Sequence, residues 1–246
     1  MAAPVEKTPP VALINPLVPL PKPLLAYLRS GKYSDVTIRC GEKTWNAHKV
    51  VICSQCKFFD NACSGGFQEE TTNVINLDYD HPDAVDAMLQ WCYWGEYNYT
   101  KHDNETAKEY LIRLLQDIRI YITAEKYGLD RLKALALEML TTYADEYHVT
   151  NEGDATKFTE IISLIYTDLP ASDPLRPFIL KLALKSFNKL LEHGVFEEFL
   201  KDGGDFGVDM MRQMARGIEE PEPGVDSDSD CDWNPDLSED SDNEEE

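Results

Sequence analysis

Several things are scarce in this chain of 246 residues, and each absence narrows what it does. Lys and Arg number 23 against 45 Asp and Glu, and no basic run occurs. Phosphate contact needs clustered cations, so direct nucleic-acid binding is not expected. No apolar stretch reaches the 18 or so residues that a membrane-spanning helix needs, so no membrane partner is expected. The apolar stretch from Val11 to Leu20 is interrupted by Pro16 and Pro19 and lacks the charged lead-in of a secretory leader. Neither Gly-x-Ser-x-Gly nor His-Glu-x-x-His occurs, and Gly65-Gly66 and Gly203-Gly204 do not lead into Gly-Lys-Ser/Thr. No catalytic residue and no cofactor are assigned, and the chain reads as a non-enzyme. Only six cysteines are present, mostly inside apolar patterns. They read as reduced thiols, which points to the cytoplasm or nucleus.

The charge that is present is uneven. Residues 219–246 hold fourteen carboxylates and no Lys or Arg, which leaves the rest of the chain at a mild −8 out of −22. Residues 216–246 are expected to stay disordered, because they cannot bury enough apolar surface to offset chain entropy. Ser227, Ser229 and Ser241 each have a carboxylate three positions on and are candidate phosphorylation sites. The tail reads either as a solubilising segment or as a lure for a basic partner protein, with Trp233 as a candidate docking residue. At the other end, residues 1–22 are Pro-rich and expected to be mobile.

Between these ends the pattern is mixed at first and then helical. Leu24, Leu25 and Leu28 mark a short helix before Gly31. Val36, Ile38 and Cys40 alternate with Thr37 and Arg39 as a strand, and Gly41-Glu42-Lys43 turns into a second strand near Trp45. Short helices are expected over His48–Ser54 and Lys57–Ala62, and a strand over Val74–Leu77. Asp80 is read as the cap of a helix with Pro82 near its first position. Val85, Met88, Leu89, Cys92 and Tyr93 supply that helix with an apolar stripe, and Gly95 ends it. Helices alone follow: one opened by the Thr106-x-x-Glu109 capping box and closed by Gly128, then others on Leu132–Tyr143, Phe158–Ile165, and Phe178–Leu191 closed by Gly194. A short helical remnant over Val195–Leu200 and a weak last helix at Met210–Met214 complete the series. This is an α+β unit with an all-α extension.

Cys53-Ser54-Gln55-Cys56, with His48 and Cys63 nearby, admits a zinc reading. No second Cys pair exists and apolar residues lie between the thiols, so packed core thiols are the favoured reading and no metal site is assigned.

Certain stretches carry a resemblance: Gly31-Lys32-Tyr33-Ser34-Asp35-Val36, Ala47-His48-Lys49-Val50-Val51, Phe58-Phe59, Gly66-Phe67-Gln68-Glu69, His81-Pro82-Asp83-Ala84-Val85, and Met88 through Tyr97. The chain resembles BTB/POZ domain proteins, especially the fungal type with a C-terminal helical extension. The resemblance implies a small sheet flanked by helices over 23–100, a helical extension over 101–215, and a protein–protein interaction role. It implies that Asp35 and Lys49 form a structural charged pair, with His48, Phe58, Phe59 and Phe67 structural. It places a candidate homodimer face at Leu24, Leu25, Leu28, Val50 and Val51. Trp91, Trp94, Tyr97, Tyr99, Tyr121 and Tyr127 are candidate contacts for a partner of the cullin class, with the chain as a substrate adaptor of a ubiquitin ligase. The alternative is a homo-oligomerising scaffold or transcription-linked regulatory subunit.

Overall fold

A computed structural model describes residues 23–98, 107–143, 149–202 and 204–219. The described residues form three strands and twelve helices. The first helix, α1 (Pro23–Ser30), ends at Gly31, whose φ of 64° reverses the chain. β1 (Val36–Cys40) pairs antiparallel with β2 (Lys43–Ala47), Ile38 opposite Trp45. Gly41 supplies the positive φ (54°) that so short a hairpin turn requires. β1 buries Val36, Ile38 and Cys40 and turns Arg39 out, as the alternation predicts.

Helices α2 (Lys49–Gln55) and α3 (Lys57–Ser64) follow, then α4 (Gln68–Thr72). The α4 helix is polar throughout and has no buried residue, so hydrophobic periodicity gives no sign of it. It stops at Asn73 in the left-handed region (φ 54°), which sends the chain into β3 (Val74–Asn76). β3 lies parallel to β1, with Ile38 beside Ile75, and the sheet order is β2-β1-β3.

Helix α5 (Pro82–Trp94) runs through the middle of the core, with Val85, Met88, Leu89, Cys92 and Tyr93 fully buried. Its cap is His81 and not Asp80, because Pro82 occupies the first helical position. Asp80 instead accepts hydrogen bonds from Lys126 and Tyr127. Gly95, at φ 79°, closes the helix.

The long helix α6 (Ala107–Tyr127) packs on α5, on α7 (Asp130–Tyr143) and on α8 (Glu152–Asp168). The Thr106 end of the expected capping box lies outside the described residues. Asn151 caps α8 by accepting the Asp154 backbone N–H at 3.1 Å. The expected single helix over 178–191 is two, α9 (Leu175–Lys185) and α10 (Phe187–Leu191), bent at Ser186. Gly194 opens α11 (Gly194–Lys201) and does not end the helix before it, and α12 (Gly204–Glu219) completes the extension. One continuous set of buried apolar side chains runs from Leu25 to Met210. The fold is α+β, a small sheet surrounded by helices and continued by helices alone.

Candidate interaction surfaces

The junction between β2 and α2 explains why Tyr-Ser-Asp-Val and Ala-His-Lys stand where they do. The Asp35 carboxylate accepts the backbone N–H of Lys49 at 2.7 Å, so it caps the first turn of α2 from the start of β1. The Lys49 ammonium donates to Asn73 Oδ1 at 2.5 Å, and no side-chain ion pair joins Asp35 and Lys49 among the described residues. The expected charged pair is thus a carboxylate-to-amide bond. A carboxylate at a helix start finds orphan N–H groups nearer than a long, half-exposed ammonium.

His48 lies beside this cap. Its Nε2 is 2.8 Å from the Lys32 carbonyl, which can only accept, so Nε2 carries the proton. Its Nδ1 then accepts the Tyr93 hydroxyl proton at 2.6 Å, while the His48 backbone N–H donates to the same hydroxyl oxygen at 2.8 Å. Burial holds the Tyr93 phenol up at about 12. Both ring nitrogens are engaged, so His48 works as a clasp between β2 and α5. The neighbouring thiols do not converge with it. Cys56 is buried near the Tyr127 carbonyl, and Cys53 lies against Cys63. Burial, with that thiol contact second, lifts Cys53 to about 12, so it stays a thiol. Among the described residues no group of three or more His, Cys, Asp or Glu could hold a metal ion.

The aromatic partner-contact candidates fall mostly inside the protein, which corrects their placement on a surface. Trp91 is buried and Trp94 half-buried on α5, and Tyr97, Tyr121 and Tyr127 are buried. Each of these tyrosines is tied to a carboxylate from another element. Tyr97 donates to Asp117 at 2.8 Å, Tyr121 to Asp173 at 3.1 Å, and Tyr127 to Asp80 at 2.6 Å. A phenol with a buried acceptor belongs to the core. Burial pushes the Asp117 carboxyl up to about 8, despite the Tyr97 hydrogen bond that opposes the shift. The ammonium of Lys133 serves Asp173 and Glu125 together. Tyr99, Ser227, Ser229 and Ser241 lie outside the described residues.

The homodimer candidates divide. Leu25 and Leu28 are buried against the core, and Leu24 is half-buried. Val50 is 78% exposed, while Val51 packs partly inward and Ile52 is fully buried. Helical periodicity turns one valine of the pair outward because its neighbours face in. Of the three structural phenylalanines, only Phe59 fills the core. Phe58 is 38% exposed, with its ring centroid 4.7 Å from that of Tyr127, and Phe67 is 60% exposed. Phe58 and Phe67 are therefore corrected from core plugs to surface aromatics. Val50 on α2, Phe58 on α3 and Phe67 just before α4 are each exposed.

One site was missed in the sequence. A groove of about 830 Å3 separates the β3–α5 connection from α6 and α8, lined by Tyr79, His81, Ile122, Thr123, Leu164 and Asp168. Tyr79 stands at its rim, 98% exposed. Beside it, Arg119 donates to His81 Nε2 at 2.8 Å and to Glu160 at 2.7 Å. Accepting that bond keeps the ring neutral, and burial followed by the Arg119 charge lowers the His81 pKa. A lone Tyr in a loop gives no periodic signal by which to find it.

The family model describing the BTB/POZ domain matches residues 24–144, which takes in α6 and α7. The human Rho-related BTB domain-containing protein 2 is 26% identical over 137 residues, covering 54% of this chain and 17% of that protein. The bovine BTB/POZ domain-containing protein 9 is 26% identical over 140 residues, covering 56% of this chain and 21% of that protein. Kelch repeat protein M-T8 of myxoma virus (strain Lausanne) is 33% identical over 66 residues, covering 27% of this chain and 13% of that protein. The chain therefore spans about a fifth or less of the length of these relatives. Among solved structures, the BTB domain of zebrafish PATZ1 aligns at 17% identity and a TM-score of 0.38, covering 49% of this chain and 86% of that one.

Proposed function

Residues 24–144 form a BTB/POZ domain, and from that premise we propose that the chain is a non-enzymatic protein–protein interaction module whose docking face is the outer side of α2–α4. The observation that carries this reading is the exposure of Val50, Phe58 and Phe67, large apolar side chains that the core uses little or not at all. Exposed apolar and aromatic side chains are the usual anchors of an interface. The partner proposed for this face is a cullin-class scaffold, with the chain as substrate adaptor. The matched relatives extend far beyond the shared segment. In this proposal the helices α8–α12 and the acidic tail hold the substrate or a basic protein.

The test is a binding measurement between the full chain and the N-terminal regions of cullins, by calorimetry or co-purification. Val50→Asp and Phe67→Asp alter exposed positions and are expected to keep the melting temperature while weakening binding by at least about thirtyfold, a hot-spot effect near 2 kcal/mol. Failure of the parent chain to bind any cullin would sink the adaptor role. Unchanged affinity in both variants would move the docking face elsewhere.

A homo-oligomerising scaffold is the second reading. It has support in the exposed aromatics around α1, where Tyr33 is 73% exposed and its ring centroid lies 6.1 Å from that of Tyr27. Light scattering across a dilution series separates the two, since a scaffold of this kind is a dimer or larger without any partner.

A further inference from the structure

Five cysteines lie among the described residues, and burial sorts them. Cys40, Cys56 and Cys92 are sealed in the core, each at most 1% exposed. Cys40 donates to the Asp80 carbonyl at 3.1 Å, Cys56 lies 3.9 Å from the Tyr127 carbonyl, and Cys92 belongs to the buried stripe of α5. Cys53 on α2 and Cys63 on α3 differ from these three. Both are half-buried, packed on the margin of the core and within reach of solvent. Their thiols also meet in a side-chain hydrogen bond.

The local fold makes this contact. Cys56 alone separates α2 from α3, and its extended backbone (φ −132°, ψ 116°) closes one helix and opens the next. Its N–H donates to the Ile52 carbonyl at 2.9 Å, and its carbonyl accepts the Asp60 N–H at 3.1 Å. The two helices then pack on each other. Cys56 ends up inside, while Cys53 comes to rest against Cys63, ten residues on. The Cys-x-x-Cys spacing of Cys53 and Cys56 is therefore not the pairing that the fold brings about.

We propose that Cys53 and Cys63 form a modification site, a thiol pair that a peroxide converts reversibly to a disulfide joining α2 to α3. Contact and solvent access are what a reversible pair needs, and among the described cysteines this pair alone has both. Rotation about the two Cα–Cβ bonds carries touching sulfurs to bonding distance. In a reducing compartment such a bond is transient, because a small thiol such as glutathione reopens it by exchange.

The atoms balance with hydrogen peroxide as oxidant. The Cys63 sulfur attacks one peroxide oxygen. An S–O bond forms, the O–O bond breaks, and the other oxygen leaves as water with the thiol proton. Cys53 then displaces the hydroxyl group of the Cys63 sulfenic acid. The S–S bond forms, the S–O bond breaks, and the Cys53 proton departs with the hydroxyl as a second water. Two thiols are oxidised and one peroxide is reduced. Burial first, and the contact with Cys63 second, hold Cys53 at about 12, so it enters as the thiol that yields its proton in the second step. Val50 stands one turn before Cys53, and Phe58 is on α3. On the docking reading, the bond would fix the two helices that carry that face, but the pairing itself does not depend on that reading.

The test treats the full chain with hydrogen peroxide at neutral pH, blocks the remaining thiols and maps the peptides with and without reduction. The expected product is the Cys53–Cys63 pair, at least about tenfold above any other pairing. Its yield should not change on dilution, and dithiothreitol should reverse it. Dimedone, which traps sulfenic acids, should mark Cys63 in the variant Cys53→Ser and leave Cys53 unmarked in Cys63→Ser, with both variants keeping the circular dichroism of the parent. Cys53 joined mainly to Cys56, links mainly to Cys231 or between copies, both thiols left free at peroxide levels that oxidise methionine, or dimedone on Cys53 would each overturn the proposal.

Discussion

The two sides of α3 put similar side chains to opposite uses. Toward α5–α7, Tyr97, Tyr121 and Tyr127 are buried and donate to Asp117, Asp173 and Asp80. Toward solvent, Phe58 and Phe67 stay exposed. A buried tyrosine needs an acceptor, and a chain rich in aspartate has acceptors to place. Each such pair joins two elements distant in sequence and fixes their mutual position. A phenylalanine has no such tie and can remain available to a partner. Among these five rings, the ones with a carboxylate partner on another element are the interior ones.

The largest break in that comparison is Tyr121→Ala, which empties a fully buried site and strips Asp173 of a donor. It is expected to cost about 3–5 kcal/mol in urea unfolding, against less than about 0.5 kcal/mol for Phe67→Ala at an exposed site. Similar losses at the two positions would erase the distinction between the faces.

The next effect depends on pH. The Asp117 carboxyl is raised to about 8 by burial, against about 3.9 in the unfolded chain. Its contribution is therefore fully present below pH 4 and is lost as pH rises toward 8 and above. Asp117→Asn keeps an acceptor for Tyr97 without the buried charge. The variant should be more stable than the parent by about 3 kcal/mol at pH 6, with the gap widening toward pH 8 and the two converging near pH 4. Thermal melts from pH 4 to 9 check this, and parallel curves would remove Asp117 as the cause.

The smallest effect separates a cap from an ion pair. Asp35→Ala should cost about 1 kcal/mol by leaving the α2 terminus without its acceptor, whereas Lys49→Met should cost less than about 0.5 kcal/mol. Equal losses, with coupling in the double variant, would restore the charged pair between the side chains.

What could be read in the sequence and what could not follow the same division. Elements set by local chemistry were legible: the β1 alternation, the glycines at 31, 41, 95 and 128, and the apolar stripe of α5. The α4 helix gave no signal because it buries nothing, and Ser186 marks a bend that no breaker residue announces. The candidate contacts were the least legible. Whether Tyr121 faces in or out depends on Asp173, 52 positions later, and Lys133. Similarly, Asp35 lies near Lys49 as the family resemblance implied, but which atoms meet depends on where Asn73 comes to rest. The parallel placement of β3 on β1 likewise follows from chain packing that no local pattern encodes.

Helix α6 has hydrogen bonds in both directions: back to the β3–α5 connection through Lys126 and Tyr127, and forward through Tyr121 to the residue before Pro174. A beam held at both sides leaves neither half a free edge along which to come apart. Severing the chain near residue 100 would not release a self-sufficient front portion, because the rod that roofs α5 would leave with the rear. The two portions should accordingly lose their structure in a single step, and strain applied at one end should be felt at the other.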